Sequence, residues 1–248
     1  MTKKTGTIMI AACVSIALCH PVFAGFDLGG MIKAGTDLTK AATLTEGEVK
    51  LLASEASKVS DSENKVAPTS SPYTKRIDKL TKGMKYEGST KPTIKVYMVS
   101  EVNAFAMADG TVRVYSGLMD KMTDDEVRYV IGHEIGHVNL GHSKKALQTA
   151  YTTSAARKAG AATGGVAGKL SDSALGDLAE KLVHAQYSQA HENEADMYAL
   201  NLMKTNKYDP KAAVSALRKL EKMYGNESSV FSSHPAPGNR AAALEKAM

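Results

Sequence analysis

The chain has 248 residues, of which 43% are hydrophobic and 23% are charged, a composition that suits a globular protein with one main core. The formal net charge of +5 falls to +3 without Lys3 and Lys4, which lie in a predicted leader, because 29 basic residues (31 less these two) then face 26 acidic ones. This excess is small, and the basic residues form no stripe with interleaved aromatic residues. We therefore expect no nucleic-acid partner.

Residues 1–24 are predicted to form a secretory signal peptide. Two lysines stand near the start, residues 7–19 are apolar, and small residues precede the expected cleavage after Ala24. The apolar stretch is too short for a comfortable membrane span. Lipoprotein processing at Cys19 is the less favoured alternative, because Leu18 stands where a small residue is normally required. We expect a periplasmic product without a transmembrane helix, and association with the outer membrane stays open.

Residues 25–71 are predicted to form an N-terminal segment of one helix and a linker. Apolar residues recur at helical spacing over 45–59, and 61–72 is polar and rich in Pro and Ser. A second helix is predicted over 73–85. We expect the main domain to extend over 72–248.

A small sheet is predicted after the second helix. Residues 93–99 and 111–115 alternate between apolar and polar side chains, and 103–107 is a shorter strand. Asp109 and Gly110 are typical of a tight turn, so the last two strands are predicted to form a hairpin.

The rest of the chain is predicted to be mostly helical. Thr123 and Glu126 form a capping box that starts a helix about three turns before His137. Further helices are predicted from 172 to about 190, from Pro210 to about Gly225, and at the end of the chain. The fold class expected is α+β, mainly helical, with the sheet before the helix that contains His137.

That helix contains the motif H-E-x-x-H. His133 and His137 stand four residues apart, so both imidazoles leave one face and can form two corners of a zinc tetrahedron. Glu134 is placed to act on a zinc-bound water. A nearby third histidine is not expected, because His142 lies about 140° around the helix from His137 and is predicted to point elsewhere, as a helix C-terminal cap.

A third ligand is expected downstream. Glu192 and Asp196 are i and i+4 on a predicted helix, so one carboxylate can bind zinc while the other accepts the second ring N–H of a ligand histidine. Glu194 is predicted to point to another side and to be solvated or capping. His191 could replace Glu192, but Asp196 would then lack an obvious partner.

The motifs His133-Glu134-Ile135-Gly136-His137, Glu192-Asn193-Glu194-Ala195-Asp196 and His234-Pro235 with Arg240 together resemble peptidase family M48. These are the HtpX-like and CAAX-protease-type gluzincins, and the chain looks most like the soluble periplasmic branch of LoiP and BepA type. The resemblance implies a zincin-like metallopeptidase domain with one Zn²⁺ per chain.

The resemblance also implies a role for each site residue. His133, His137 and Glu192 would bind zinc. Glu134 would be the general base and later the proton donor, and Asp196 would orient His133 or His137. His234 would either stabilise the oxyanion or plug the open metal position, and Arg240 would brace that region. The segment of Asn103, Ala104, Phe105 and Ala106 would be an edge strand that pairs with an extended substrate.

The function implied is an exported zinc endopeptidase that hydrolyses misfolded or misassembled cell-envelope proteins as part of protein quality control. Its partners would be unfolded or misassembled substrates and the outer-membrane assembly machinery. One alternative is a zinc-bound chaperone or scaffold for outer-membrane assembly in which proteolysis is latent. A peptidoglycan- or lipid-acting hydrolase is a third class, and it would need a substrate groove.

Overall fold

A computed structural model describes residues 45–161, 172–226 and 233–248, with side chains over 45–151, 176–226 and 233–248. The predicted signal peptide, with its cleavage site and Cys19, lies outside the described residues. Among the described residues, no helix combines the length and the apolar character needed to cross a membrane.

Two helices precede the sheet. Helix α1 (Glu46–Glu63) begins at a capping box formed by Thr45 and Glu48, and it continues past the predicted end at 59. Helix α2 (Pro72–Thr81) is capped by the Ser71 side chain and has proline in its first turn. The prediction that α2 reaches 85 was wrong, because the chain turns at Gly83, whose φ of 75° ends the helix.

The sheet has three strands, β1 (Thr93–Tyr97), β2 (Ala104–Ala106) and β3 (Thr111–Tyr115), in the order β1-β3-β2. β2 and β3 pair in antiparallel fashion across a turn in which Gly110 has φ 93°, which confirms the predicted hairpin. β1 pairs with β3 in parallel, which the sequence pattern did not indicate.

The alternation of side chains along the strands divides the core in two. Val96, Val112 and Val114 face a cluster that contains residues of the H-E-x-x-H helix. Tyr97 and Tyr115 face a second cluster, in which Leu52 and Ala56 of α1 are also buried. The described part of the N-terminal segment is thus packed against the face of the sheet that is opposite to the H-E-x-x-H helix.

In the described parts of the chain, seven helices follow the sheet, the last of them after residues 227–232, and the first is the short helix α3 (Ser116–Lys121), which was not predicted. The others are α4 (Asp124–Asn139), α5 (His142–Ala161), α6 (Asp172–Val183), α7 (Gln189–Thr205), α8 (Lys211–Tyr224) and α9 (Pro237–Ala247). The predicted capping box of Thr123 and Glu126 starts α4.

The prediction of one helix from 172 to about 190 was wrong. α6 ends at Val183, and α7 starts anew with Ser188, whose side chain accepts a hydrogen bond from the backbone of His191. This break reorients the chain, and α7 then packs closely against α4. Gly136 of α4 permits that approach, because a Cβ atom there would lie 3.2 Å from backbone atoms of Ala195.

Candidate metal centre

The H-E-x-x-H residues lie in the middle of α4 and are almost completely removed from solvent. His133, Glu134 and His137 are 4%, 2% and 0% exposed. The Nε2 atoms of the two histidines are 3.0 Å apart, so both rings point to one place. As predicted from the i,i+4 spacing on a helix, both imidazoles leave the same face of α4.

Helix α7 brings Glu192 to the same place. Its carboxylate oxygens lie 3.5 Å from Nε2 of His133 and 3.4 Å from Nε2 of His137. His191 is instead stacked on His142, with ring centroids 4.2 Å apart. The geometry thus favours Glu192 over His191 and Glu194 as the third ligand.

His234 reaches the same point from the segment before α9. Its Nδ1 lies 3.1 Å and 3.2 Å from the two Glu192 oxygens and 3.2 Å from Nε2 of His133. Its Nε2 lies 3.3 Å from Oε1 of Glu134. One ligand atom from each of His133, His137, Glu192 and His234 falls within 4.8 Å of all the others.

Asp196 and Arg240 form a buried layer behind these four side chains. Oδ1 of Asp196 lies 2.8 Å from Nδ1 of His133, so the orienting carboxylate contacts His133 and not His137. Arg240 donates to both Asp196 oxygens at 2.8 Å and 2.6 Å, and its Nη1 lies 2.6 Å from Oε2 of Glu192. The hydroxyl of Tyr129 donates to Oδ1 of Asp196 at 2.6 Å.

Burial and the neighbouring charges shift the pKa values of these side chains. Burial alone would raise the pKa of Glu192, but His234 and Arg240 hold it well below its usual range. Burial lowers the pKa of His137 well below 6.5, which suits a neutral ligand. Burial and Arg240 also lower the pKa of His133, but Asp196 and Glu192 outweigh them and raise it to about 9.

His142 contradicts its predicted position. Helix α4 ends at Asn139, and Gly141 with φ 80° turns the chain, so the angular argument for a continuing helix does not apply. His142 is the first residue of α5, and its Nδ1 lies 3.1 Å from Nδ1 of His137. Its Nε2 lies 2.9 Å from Oε2 of Glu194, whose side chain is 59% exposed, in agreement with the prediction of a solvated residue, but also has this partner.

A cavity of about 540 Å³ opens beside the ligands. Its wall includes His133, Glu134 and His234, together with apolar side chains, chiefly Leu118, Val130, Leu217, Leu220 and Tyr224. His184 also lines the cavity. An extended peptide could place an apolar side chain here, next to Glu134.

The predicted edge strand lies at the rim of this cavity. Asn103 and Ala104 line the cavity, whereas Phe105 is packed in the second core cluster with Tyr97. The carbonyl of Asn103 accepts a hydrogen bond from the backbone N–H of Tyr115, and the N–H of Met107 donates to the carbonyl of Thr111. The alternation of an antiparallel pair therefore turns the backbone groups of Ala104 and Ala106 to the outer edge. Ala104 and Ala106 are 4% and 5% exposed, so this edge is open mainly at its Asn103 end.

The donor set fits zinc. Two imidazole nitrogens and one carboxylate oxygen form the usual protein ligands of a catalytic zinc, which keeps a further position open. Each histidine has a partner at its second ring nitrogen, as ligand histidines do. A mainly helical α+β fold with a small mixed sheet and an H-E-x-x-H helix defines the class as a zinc metalloendopeptidase.

Comparison with known proteins gives the same class and adds the family. Residues 72–248 match Peptidase family M48, and the chain belongs to this family. It is 43% identical to Metalloprotease LoiP of Escherichia coli (strain K12) over 242 residues, 96% of this chain and 94% of LoiP. It is 42% identical to Metalloprotease YcaL of the same strain over 243 residues, 96% of this chain and 95% of YcaL.

A more distant relative is the beta-barrel assembly-enhancing protease of Yersinia pestis. It is 26% identical over 174 residues, which is 61% of this chain and 34% of that protein. The predicted membership in family M48 and its LoiP-like branch is therefore confirmed.

Proposed function

We propose that this metalloendopeptidase is exported and hydrolyses peptide bonds in unfolded or misassembled proteins of the cell envelope. The apolar cavity beside Glu134 and His133 carries the proposal. Large apolar side chains are buried in folded proteins and become available to such a cavity mainly when a protein is unfolded. Selection by this cavity would thus restrict cleavage to damaged or unassembled chains.

Export rests on the signal-peptide pattern at the start of the sequence. We propose a periplasmic location and association with the outer membrane, with a lipid anchor at Cys19 as the less favoured alternative. The Yersinia relative is named for enhancing β-barrel assembly, which supports the outer-membrane assembly machinery as a partner.

His133, His137 and Glu192 would hold one zinc ion per chain. Bound there, zinc would act as a Lewis acid that makes water a stronger acid and polarises the scissile carbonyl. Asp196 accepts from Nδ1 of His133, which keeps Nε2 of that ring available as a ligand atom. Arg240 would hold both carboxylates in their ionised form.

Glu134 would accept the proton of the attacking water and then deliver it to the leaving amine. It is 2% exposed and lies at the cavity wall, where a substrate carbonyl would stand. His234, 3.3 Å from Glu134, would donate a hydrogen bond to the developing oxyanion. The outward-facing backbone groups of Ala104, beside Asn103 at the open end of the edge strand, would pair with the substrate and align it.

Replacement of the proposed base tests this assignment. We expect Glu134→Gln to bind zinc like the parent chain and to cleave unfolded casein at least about 100-fold more slowly. The control is His133→Ala, which should lose both zinc and cleavage. Parent-like cleavage by Glu134→Gln would refute the base assignment. Equal cleavage of a protein in its folded and unfolded forms would refute the proposed substrate class.

A zinc-bound chaperone or scaffold with latent proteolysis is the second candidate. The observation that favours it is the position of His234, whose Nδ1 lies among the ligand atoms as a fourth donor. If His234 plugs the metal, His234→Ala will cleave casein faster than the parent chain. If His234 stabilises the oxyanion, the same variant will be slower, which would count against latency.

A further inference from the structure

We infer that His142 and Glu194 form a positioning relay for His137. This inference rests on the proposed role of His137 as a zinc ligand. In the relay, Glu194 orients the ring of His142, and His142 in turn orients the ring of His137. Neither residue would contact zinc or substrate.

The geometry of the three side chains is that of a continuous hydrogen-bonded chain. Nδ1 of His137 lies 3.1 Å from Nδ1 of His142, and Nε2 of His142 lies 2.9 Å from Oε2 of Glu194. His137 and His142 are 0% and 5% exposed, so water does not readily replace the contact between their two rings. The ring of Tyr187 stacks on the other side of His137 at 3.9 Å and leaves it little room to rotate.

The chemistry fixes the direction of the chain. A His137 ring that offers the Nε2 lone pair to a metal carries its proton on Nδ1. That N–H can donate only to an unprotonated Nδ1 of His142, so the proton of a neutral His142 is on Nε2. This second N–H then donates to the Glu194 carboxylate. Every donor has one acceptor, and Glu194 selects the tautomer that His137 requires.

The two ligand histidines are therefore supported in different ways. His133 is held directly by the buried Asp196, which Arg240 neutralises. His137 is held through His142 by Glu194, whose side chain is 59% exposed. Loss of a carboxylate that orients a ligand histidine typically weakens metal binding by about 10- to 100-fold. An exposed carboxylate at the end of a relay should have an effect at the lower end of that range.

The test measures zinc affinity of the full chain by competition with a chelating dye. His142→Phe preserves an aromatic ring but removes both nitrogens, and we expect its zinc dissociation constant to rise about 10- to 100-fold. His142→Asn keeps an acceptor near the Nδ1 position, so it should recover part of this loss. Glu194→Ala should raise the constant about 10-fold, and Glu194→Gln, which still accepts a hydrogen bond, should raise it less.

The matched control is Asn193→Ala, an exposed neighbour of Glu194 on α7, which should bind zinc like the parent chain. Thermal unfolding without zinc should be similar for Glu194→Ala and Asn193→Ala, because the exposed Glu194 contributes little to the fold. Equal zinc affinity of these two variants would overturn the relay, even if His142→Phe fails to fold. Parent-like zinc affinity in His137→Ala would instead overturn the ligand assignment.

Discussion

Arg240 is the residue on which the charge balance of the metal centre depends. The centre buries three carboxylates, those of Glu134, Glu192 and Asp196, and Arg240 contacts the last two. One guanidinium and one Zn²⁺ together supply three positive charges, so the four side chains and the metal would be neutral as a group. Arg240 thus lets a carboxylate pair stay ionised and close together before metal arrives.

Replacement of Arg240 by Met should destabilise the protein strongly. Met fills much of the same volume but leaves Glu192 and Asp196 as buried carboxylates without their cation, which typically costs about 3–5 kcal/mol. The measurement is urea denaturation in the presence of a chelator. The control is Arg218→Met, because Arg218 forms an exposed pair with Glu245 whose loss should cost about 0–1 kcal/mol. Equal unfolding free energies for the two variants would contradict the charge-balance argument.

The residues of the centre differ in how far the sequence could predict them. That His133 and His137 share one face could be predicted from their i,i+4 spacing once this stretch was recognised as a helix, and the capping box indicated that helix. His142 could not be placed in this way, because its position depends on where α4 ends. Gly141, two residues after Asn139, was the available signal for that end, since glycine commonly ends a helix in the left-handed conformation.

At the scale of elements, the site depends on how closely α4 and α7 approach. α4 carries His133 and His137, and α7 carries Glu192, so the distance between the helices sets the distance between ligands. Gly136 and Gly132 face α7 at the point of contact. The sequence indicated helical structure around both motifs but neither the start of α7 nor the closeness of this approach, because the distance between crossing helices depends on residues from both helices at once.

Gly136→Val should separate the two helices. A Cβ at Gly136 would already lie 3.2 Å from Ala195 and Tyr198, and valine adds two further methyl groups. Overpacking of this kind costs about 1–3 kcal/mol, and it should also weaken zinc binding because Glu192 moves with α7. Thermal unfolding and zinc titration measure the two effects.

Gly132→Ala is the matched control for this substitution. Its new methyl group would meet Ala199 at 3.4 Å, which is an ordinary contact, and alanine favours the helix. We expect parent-like zinc affinity in Gly132→Ala. If Gly136→Val also bound zinc like the parent chain, the distance between α4 and α7 would not control the site.

For the molecule as a whole, the sheet connects α1 to the metallopeptidase domain. β3 is buried along its whole length, with one face toward the helices of the metal centre and the other toward α1. The predicted division at residue 72 agrees with where the family match begins, but it stays a prediction as a domain boundary. The physical link across it was not predicted, because it joins two charges that are 52 residues apart.

That link is the pair of Asp61 and Arg113. Arg113 is 2% exposed, and its guanidinium donates to both Asp61 oxygens at 2.8 Å and 3.0 Å. Tyr97 and Lys95 also donate to Asp61, each at 2.7 Å. Burial alone would raise the pKa of Asp61, but the hydrogen bonds from these donors outweigh burial and lower the pKa from the ordinary 3.8 to about 2.

This pKa predicts how the contribution of Asp61 to stability depends on pH. Because the pKa is lower in the folded chain than the ordinary 3.8, the contribution is fully present above pH 3.8 and is lost as the pH falls toward 2. Asp61→Asn cannot titrate and leaves Arg113 without its anion, so we expect it to be about 1–3 kcal/mol less stable at pH 7. That difference should shrink steadily between about pH 4 and pH 2.

Urea denaturation of both chains at pH 7, 4 and 3, with the same chelator present, measures the difference without a contribution from metal. Asp78→Asn serves as the control, because Asp78 is an exposed acid on α2 and its replacement should change stability little at any of these pH values. A difference between the parent chain and Asp61→Asn that stays constant from pH 7 to pH 3 would contradict the prediction, because the contribution of Asp61 would then not depend on its charge. A difference that shrinks as predicted would show that a charge pair, together with the second core cluster, holds the N-terminal helix against the sheet.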